Sequence, residues 1–119
     1  MLKKDILRRK RHRRILARIR GTQERPRLVV RRSLRHLHAQ LIDDTKGVTV
    51  FSLSTADKKL KGKIPAAGNI KVAGVFGEEL SRRAKEQGFT RVVFDRAGFL
   101  YHGRIKVFAD SLRKGGLQF

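Results

Sequence analysis

Positive charge is concentrated at the amino-terminal end of this chain. Residues 1–32 contain fourteen basic and two acidic side chains, a net charge of +12, whereas residues 33–119 contain sixteen basic and eight acidic ones, a net charge of +8. A small domain with a total charge of +20 repels itself unless a polyanion neutralises it. The composition therefore predicts a nucleic acid or an anionic membrane surface as partner, and the arginine-rich tail favours phosphate.

The length and amino-acid composition further limit the class of protein to which the chain can belong. A chain of 119 residues, 39% of them hydrophobic, suits one domain with one modest core. With no cysteine there is no disulfide framework and no thiolate metal site, which fits a reducing cytosol. No run approaches the roughly eighteen apolar residues of a membrane-spanning helix. The first twenty residues lack the apolar segment of a signal peptide and the serines of a transit peptide.

A basic arm is predicted over residues 1–24. Ten of its first twenty residues are basic, and few large apolar side chains could hold it against a core. We expect the arm to be disordered or fraying alone and helical when bound to a polyanion; a solvated tail without a partner is the alternative. The arm residues expected to contact RNA are Arg8, Arg9, Arg11, Arg13, Arg14, Arg18 and Arg20.

The globular domain is predicted to span residues 25–119. Strand-like runs at 25–33, 36–43 and 47–54 are joined by short connections, a pattern typical of an antiparallel meander. A fourth run at 90–95 follows a helix, which favours a crossover and a parallel pairing. These elements predict an α/β fold, a small mixed sheet of about four strands with helices packed on it.

Two helices are predicted in this domain. The first runs from Asn69, its N-cap, to Gln87, with Gly88 as the stop, and the second begins at Gly103 and Arg104. Apolar positions at helical spacing define the inner faces, which carry Ala73, Phe76, Leu80 and Ala84 in the first helix and Ile105, Phe108, Ala109 and Leu112 in the second.

Alternation along the meander predicts two different sheet faces. The core face is expected to carry Leu28, Val30, Leu37, Ala39, Leu41, Val48 and Val50. The other face is expected to carry Val29, Arg31, His38, Gln40, Thr49 and Phe51. Arg, His, Gln and an aromatic ring suit a shallow RNA surface, and Arg35 adds charge in the connection between the first two strands. An ordinary solvated face is the alternative.

The stretch "FDRAGFLYHGRIK" at 94–106 is predicted to bind phosphate rather than to catalyse. A helix begins near Gly103 and Arg104, and helix N-termini offer free N–H groups to phosphate. His102 would add a donor and Tyr101 could stack on a base. Asp95 is expected to orient Arg96. The alternative is a strand-to-helix turn with a core tyrosine.

The sequence offers little support for a catalytic site or a metal-binding site. His36 and His38 are expected to face opposite sides of a strand, which disfavours a zinc site. Nothing in the sequence gathers Asp43, Asp57 and Asp95 for metal-dependent cleavage. Two rival functions are considered. One is a nuclease, which a cleavage assay would test. The other is a membrane-surface or calmodulin-binding helix at residues 1–20, which a liposome flotation assay would test.

Two long stretches carry a resemblance to a known family. "RPRLVVRRSLRHLHAQLIDDTKGVTVFSLST" resembles R-x-R-L-x-V-x-R-S-x-x-H-I-x-A-Q-x-I-D-D of the bacterial large-subunit ribosomal protein number eighteen, the 5S rRNA-binding family. "VVFDRAGFLYHGRIKVFADSLRKGGLQF" is similar to that family's closing segment, V-x-F-D-R-G-G-x-x-Y-H-G-R-V-K-A-L-A-D…G-L-x-F. The resemblance covers essentially the whole chain.

The resemblance implies a fold similar to a ribonuclease H-like sheet, with no enzymatic activity, no cofactor and no small-molecule substrate. It implies a cytoplasmic constituent of the large ribosomal subunit that binds 5S rRNA and helps attach it to 23S rRNA in the central protuberance. Neighbouring 5S-binding ribosomal proteins would be its partners. The positions that match the family's motifs are Arg25, Arg27, Arg32, Ser33, His36, Gln40, Tyr101, His102, Gly103 and Arg104.

The chain departs from the family pattern in four places. Arg31 stands where Phe is usual, and Leu37–His38 replaces an Ile-Tyr pair. Ala97 and Phe99 replace Gly and Tyr. Ala97 predicts that a positive φ is not needed at that position.

Overall fold

A computed structural model describes residues 2–16, 19–57, 60 and 70–119. Within these residues, three helices and four strands follow one another. In chain order they are α1 (Lys3–Leu16), β1 (Arg27–Arg32), β2 (Leu37–Asp43), β3 (Val48–Ser54), α2 (Ile70–Glu86), β4 (Val93–Asp95) and α3 (Arg104–Lys114).

The strands form one mixed sheet in the order β3-β2-β1-β4. β2 lies antiparallel to both β1 and β3, whereas β4 lies parallel to β1. The predicted meander, crossover strand and α/β class are therefore confirmed. The hairpin turn after Asp43 closes through an Asx-type bond, because the Thr45 N–H donates to Asp43 Oδ1 at 3.0 Å.

The β3 side chains face the core in the opposite phase to the predicted one. Leu41 lies opposite Phe51 in regular pairing, and the register shifts only beyond this pair, where Ile42 lies opposite Thr49. Residues paired across neighbouring strands point to the same face of the sheet, so Phe51 shares the core face of Leu41 and the adjacent Val50 points away from it. The placement of Val48 and Val50 in the core is therefore wrong, since they are 47% and 40% exposed. Phe51, expected on the outer face, packs against the core instead.

Helices α2 and α3 cover the core face of the sheet and pack closely on each other. The Phe76 and Phe108 rings stack with centroids 5.2 Å apart. A side chain at Gly77 would come within 2.7 Å of Ser111 Cβ, so this glycine lets the two helices approach. The predicted inner faces of both helices are buried, as expected from their spacing.

The helix boundaries agree with the sequence where the structure describes them. Gly88 adopts φ 89° just after α2, as predicted for a stop. The Asn69 cap lies outside the described residues. The basic arm contains α1, which is helical over Lys3–Leu16. The dependence of that helix on a polyanion, and the domain boundary at residue 24, stay predictions.

Candidate nucleic-acid interface

A basic groove of about 520 Å³ lies between α1, the turn after β1 and the segment that leads into α3. Five basic side chains and one carboxylate, that of Asp5, line it. The basic ones are Lys4, Arg8, Arg11, Arg32 and Arg104. Folding thus brings together four arginines predicted from separate parts of the sequence, along with Ser33. Lys4 was not singled out from the sequence.

Arg104 lines this groove and makes no ion pair with any carboxylate of the described residues. Its Nη2 donates to the Ser33 carbonyl oxygen at 2.8 Å, which fixes the guanidinium against the turn after β1. Partial burial, and then the positive charge of Arg32, lower the pKa of Arg104 from its ordinary value. Both effects make the charged form less favourable, and attraction to a bound anion would offset them.

Phe99 lies between two arginines of the groove. The Arg8 guanidinium carbon is 4.5 Å from the Phe99 ring centroid, and that of Arg32 is 5.3 Å away. Cation–π contacts of this kind hold guanidinium groups at a fixed position while leaving their N–H groups available. No local sequence pattern predicts this role of Phe99, because the three residues are far apart along the chain.

Helix α1 is attached to the domain through residues 95–99. His12 Nε2 lies 2.8 Å from Asp95 Oδ2, and Arg11 Nε donates to the Gly98 carbonyl oxygen at 3.0 Å. Arg8 Nη1 donates to the Ala97 carbonyl oxygen at 3.5 Å. The groove therefore has α1 as one wall and the domain as the other.

Asp95 also belongs to an ion-pair network with Arg27 and Asp44. Arg27 Nη1 donates to Asp95 Oδ2 at 2.7 Å, while its Nε and Nη2 donate to the two carboxylate oxygens of Asp44 at 2.9 and 3.1 Å. The hydrogen bond with Asp44 is the largest influence raising the Arg27 pKa. Asp95 was expected to orient Arg96, and that is wrong, since its oxygens accept from Arg27, His12 and the Ala97 N–H.

Arg27 is consequently an internal residue of the domain rather than a free RNA ligand. Its side chain is 11% exposed and three of its guanidinium nitrogens are engaged with carboxylates. Arg25 has a different position, because it is exposed and its Nε donates to the Val92 carbonyl oxygen at 3.4 Å.

The outer face of the sheet forms a second polar surface. Arg31 lies opposite His38 across β1 and β2, and Gln40 lies opposite Ser52 across β2 and β3. All four are exposed. Val29, predicted on this face, is only 2% exposed because it lies beside Asp95, where α1 is attached.

The two histidines near this face lie on the same side of the chain. The ring centroids of His36 and His38 are 6.4 Å apart. The expectation that they face opposite sides is wrong, because residues two apart on a strand share a face. His36 Nδ1 is 3.0 Å from the Thr55 hydroxyl oxygen. Within the described part of the chain, no group of three or more His, Cys, Asp or Glu side chains is placed to hold a metal ion.

The segment before α3 is exposed. Tyr101 is not a core residue, since it is 38% exposed and its hydroxyl oxygen accepts from Arg113 Nη1 at 3.3 Å. His102 is exposed as well. Gly103 is the N-cap of α3, with φ 57° and no side-chain capping bond, and the first turn contains no acidic residue. The helix N-terminus therefore keeps donors for an anion.

The remaining predicted arginines differ in exposure where the structure describes them. Arg18 lies outside the described residues, and Arg96 is partly buried. The exposed ones are Arg9, Arg13, Arg14, Arg20 and Arg35. Among the helices of the described residues, none is both long and apolar enough to cross a bilayer.

A family model for ribosomal L18 of archaea, bacteria, mitochondria and chloroplasts matches residues 2–119. The chain belongs to this family. The large ribosomal subunit protein uL18 of Pelotomaculum thermopropionicum is 55% identical over 122 residues, covering 100% of both chains. The proteins of that name from Dictyoglomus turgidum and Bacillus cytotoxicus are each 53% identical, covering 95% and 98% of this chain and 93% and 95% of their own.

Membership of the L18 family confirms several expectations from the sequence. L18 proteins are structural constituents of the ribosome and not enzymes. The chain is accordingly an RNA-binding protein of the large subunit, active in translation and located in the cytoplasmic ribosome. The nuclease and membrane-helix alternatives are set aside on this ground.

One departure from the L18 pattern has a structural consequence. Ala97 adopts φ 55°, a left-handed conformation that favours glycine. The expectation that position 97 needs no positive φ is therefore wrong. The conformation is held by the Ala97 N–H, which donates to Asp95 Oδ1 at 2.8 Å, and it turns the chain under α1.

Proposed function

We propose that this L18-family chain binds 5S rRNA and helps attach it to 23S rRNA in the central protuberance, beside the neighbouring 5S-binding ribosomal proteins. The observation that carries the proposal is the basic groove, where Arg104 is half-buried, close to Arg32 and without an acidic partner among the described residues. Such a site is stabilised by a polyanion that supplies phosphate oxygens at fixed spacing.

The groove fits a sugar–phosphate backbone. Arg8, Arg11 and Arg104 reach it from both walls, and guanidinium groups bind phosphate through paired N–H donors. The uncapped N-terminus of α3 follows directly after Gly103 and adds backbone donors. These groups recognise phosphate position rather than base identity, so the groove would set the register of the RNA.

The outer sheet face supports the sequence-specific part of the proposal. Arg31, His38 and Gln40 are exposed there and can donate to or accept from base edges and 2′-hydroxyls. RNA is recognised mainly through such contacts on a shallow surface. The face is adjacent to α1 at Val29, so one RNA segment could contact both surfaces.

Helix α1 offers a second basic side for 23S rRNA. Lys10 and Arg13 are exposed, and the 3.6-residue repeat places them on the side of the helix away from the groove-lining Lys4 and Arg8. A helix with cationic groups on both sides can lie between two RNA segments. This arrangement supports a role in joining the two rRNAs.

The test separates the two sides of α1. One variant combines Arg8→Ala with Arg11→Ala, and a charge-matched variant combines Lys10→Ala with Arg13→Ala. Binding to 5S rRNA is measured by native gel, followed by association of the 5S complex with 23S rRNA. The groove variant should lose 5S binding, whereas the outer variant should keep it and lose association with 23S rRNA. Equal behaviour of both variants in both assays would contradict the proposal.

A further inference from the structure

We propose that His12 and Asp95 form a positioning pair that holds α1 in register beside the basic groove, so that Arg8 and Arg11 reach the bound RNA. The inference rests on the proposed function, because it concerns the same groove. Neither residue is assigned an RNA contact. They act through α1, and their effect should appear in RNA binding rather than in the stability of the core.

The Asp95 side chain is held in a fixed position where α1 contacts the domain. It has 0% exposure, and its Oδ1 accepts from the Ala97 N–H at 2.8 Å while Oδ2 accepts from Arg27 Nη1 at 2.7 Å. A carboxylate held from both sides by the domain cannot turn to follow a moving helix. The remaining partner of Oδ2 is His12 Nε2 at 2.8 Å, on a side chain that is itself 12% exposed.

The backbone of α1 also contacts the domain directly at one point. A Cβ added to Gly98 would overlap the carbonyl oxygen of Arg8 and come within 3.1 Å of the His12 nitrogen. Gly98 therefore allows the helix backbone to lie on residues 97–98. Arg11 Nε donates to the Gly98 carbonyl oxygen at this same point, so the contact fixes the rotation of α1.

Rotation of α1 decides where its arginines lie. Successive residues of a helix are 100° apart, so a slip by one position would turn Arg8 and Arg11 out of the groove. Apolar packing seen in the described part of α1 gives little resistance to such a slip, since Ile6, Leu7 and Leu16 are exposed. The polar pair His12–Asp95 therefore holds the register of α1 together with the contact at Gly98.

The test uses full-length variants at position 12 and measures 5S rRNA affinity over a range of salt concentrations. His12→Ala removes the hydrogen bond, whereas His12→Gln keeps a donor near the place of Nε2. His12→Ala should weaken binding about 5- to 10-fold and flatten the salt dependence, since fewer phosphates are contacted. His12→Gln should bind like the unmodified protein.

Asp95→Asn supplies the second arm of the experiment. In the Asp95→Asn background, His12→Ala should weaken binding no further than Asp95→Asn alone, because Asp95→Asn already removes the carboxylate that His12 contacts, along with the partner of Arg27. Three outcomes overturn the inference: His12→Ala binds normally, His12→Gln is as weak as His12→Ala, or the two changes add. If Arg104→Ala also binds normally, the groove itself and the proposed function fail; if it binds weakly, the positioning pair fails alone.

Discussion

Replacing Arg104 by alanine removes a groove cation for which the described residues provide no ion-pair partner. The Arg104 guanidinium has one recorded hydrogen bond, to the Ser33 carbonyl oxygen, and burial and Arg32 lower its pKa. Losing a charge-assisted contact to phosphate costs about 1–3 kcal/mol. The dissociation constant for 5S rRNA should therefore rise roughly 5- to 150-fold, and the slope of log K against log salt should fall by about 0.7–0.9.

The stability of the folded protein should respond much less. The substitution loses the bond to Ser33, worth about 0.5–1.5 kcal/mol, but it also relieves the repulsion from Arg32 and the burial of a charge. These terms oppose each other, so the free energy of unfolding should change by less than about 1 kcal/mol. A large loss of binding with little loss of stability is the expected signature.

The assay is fluorescence anisotropy with labelled 5S rRNA at three salt concentrations, with urea unfolding on the same samples. Arg91→Ala is the matched control. Arg91 is an exposed arginine before β4, so this substitution removes the same charge as Arg104→Ala at a site outside the groove. If Arg104→Ala binds as tightly as the unmodified protein, or if Arg91→Ala loses as much, then the groove does not hold phosphate and the reasoning is refuted.

Three other changes test the fold. Phe108→Ala should cost about 3–5 kcal/mol in urea unfolding, because it removes a fully buried ring; a cost below 1 kcal/mol would contradict this packing. Gly98→Ala should destabilise the protein and reduce helicity by circular dichroism, since it strains φ 80° and displaces Arg8; unchanged spectra and stability would contradict the contact. The hydrogen bond with Arg27 lowers the pKa of Asp44 from 3.8, so its contribution to stability is present above that pH and lost as pH falls through the lowered pKa. Asp44→Asn should flatten this acid loss, and an equally steep loss in the variant would refute it.

Much of the fold could be predicted because it rests on local periodicity. The spacing of Phe76, Leu80, Phe108 and Leu112 predicted both domain helices, and short polar connections predicted the meander. The error in β3 was one of phase, because alternation separates Val48 and Val50 from Phe51 but does not say which set faces the core. Strand pairing decides this, since Phe51 lies opposite the buried Leu41.

The sequence predicted most of the cationic residues that belong to the site, but not how the fold arranges them in space. The density of arginine identified Arg8 and Arg11, yet the side chains that place them come from distant positions. His12 and Asp95 are 83 residues apart, and Phe99 meets Arg8 only after folding. Ala97 was misread for the same reason, since its positive φ is imposed by the contact with Asp95 rather than by its residue type.

Binding of the intact protein to 5S rRNA at two salt concentrations, with tRNA as competitor, tests the central claim most directly. The account predicts tight binding that survives an excess of tRNA and weakens by orders of magnitude as salt rises, because many phosphates are contacted. Binding that tRNA abolishes at both salt concentrations would show a non-specific polycation and would contradict the proposal that this chain recognises 5S rRNA.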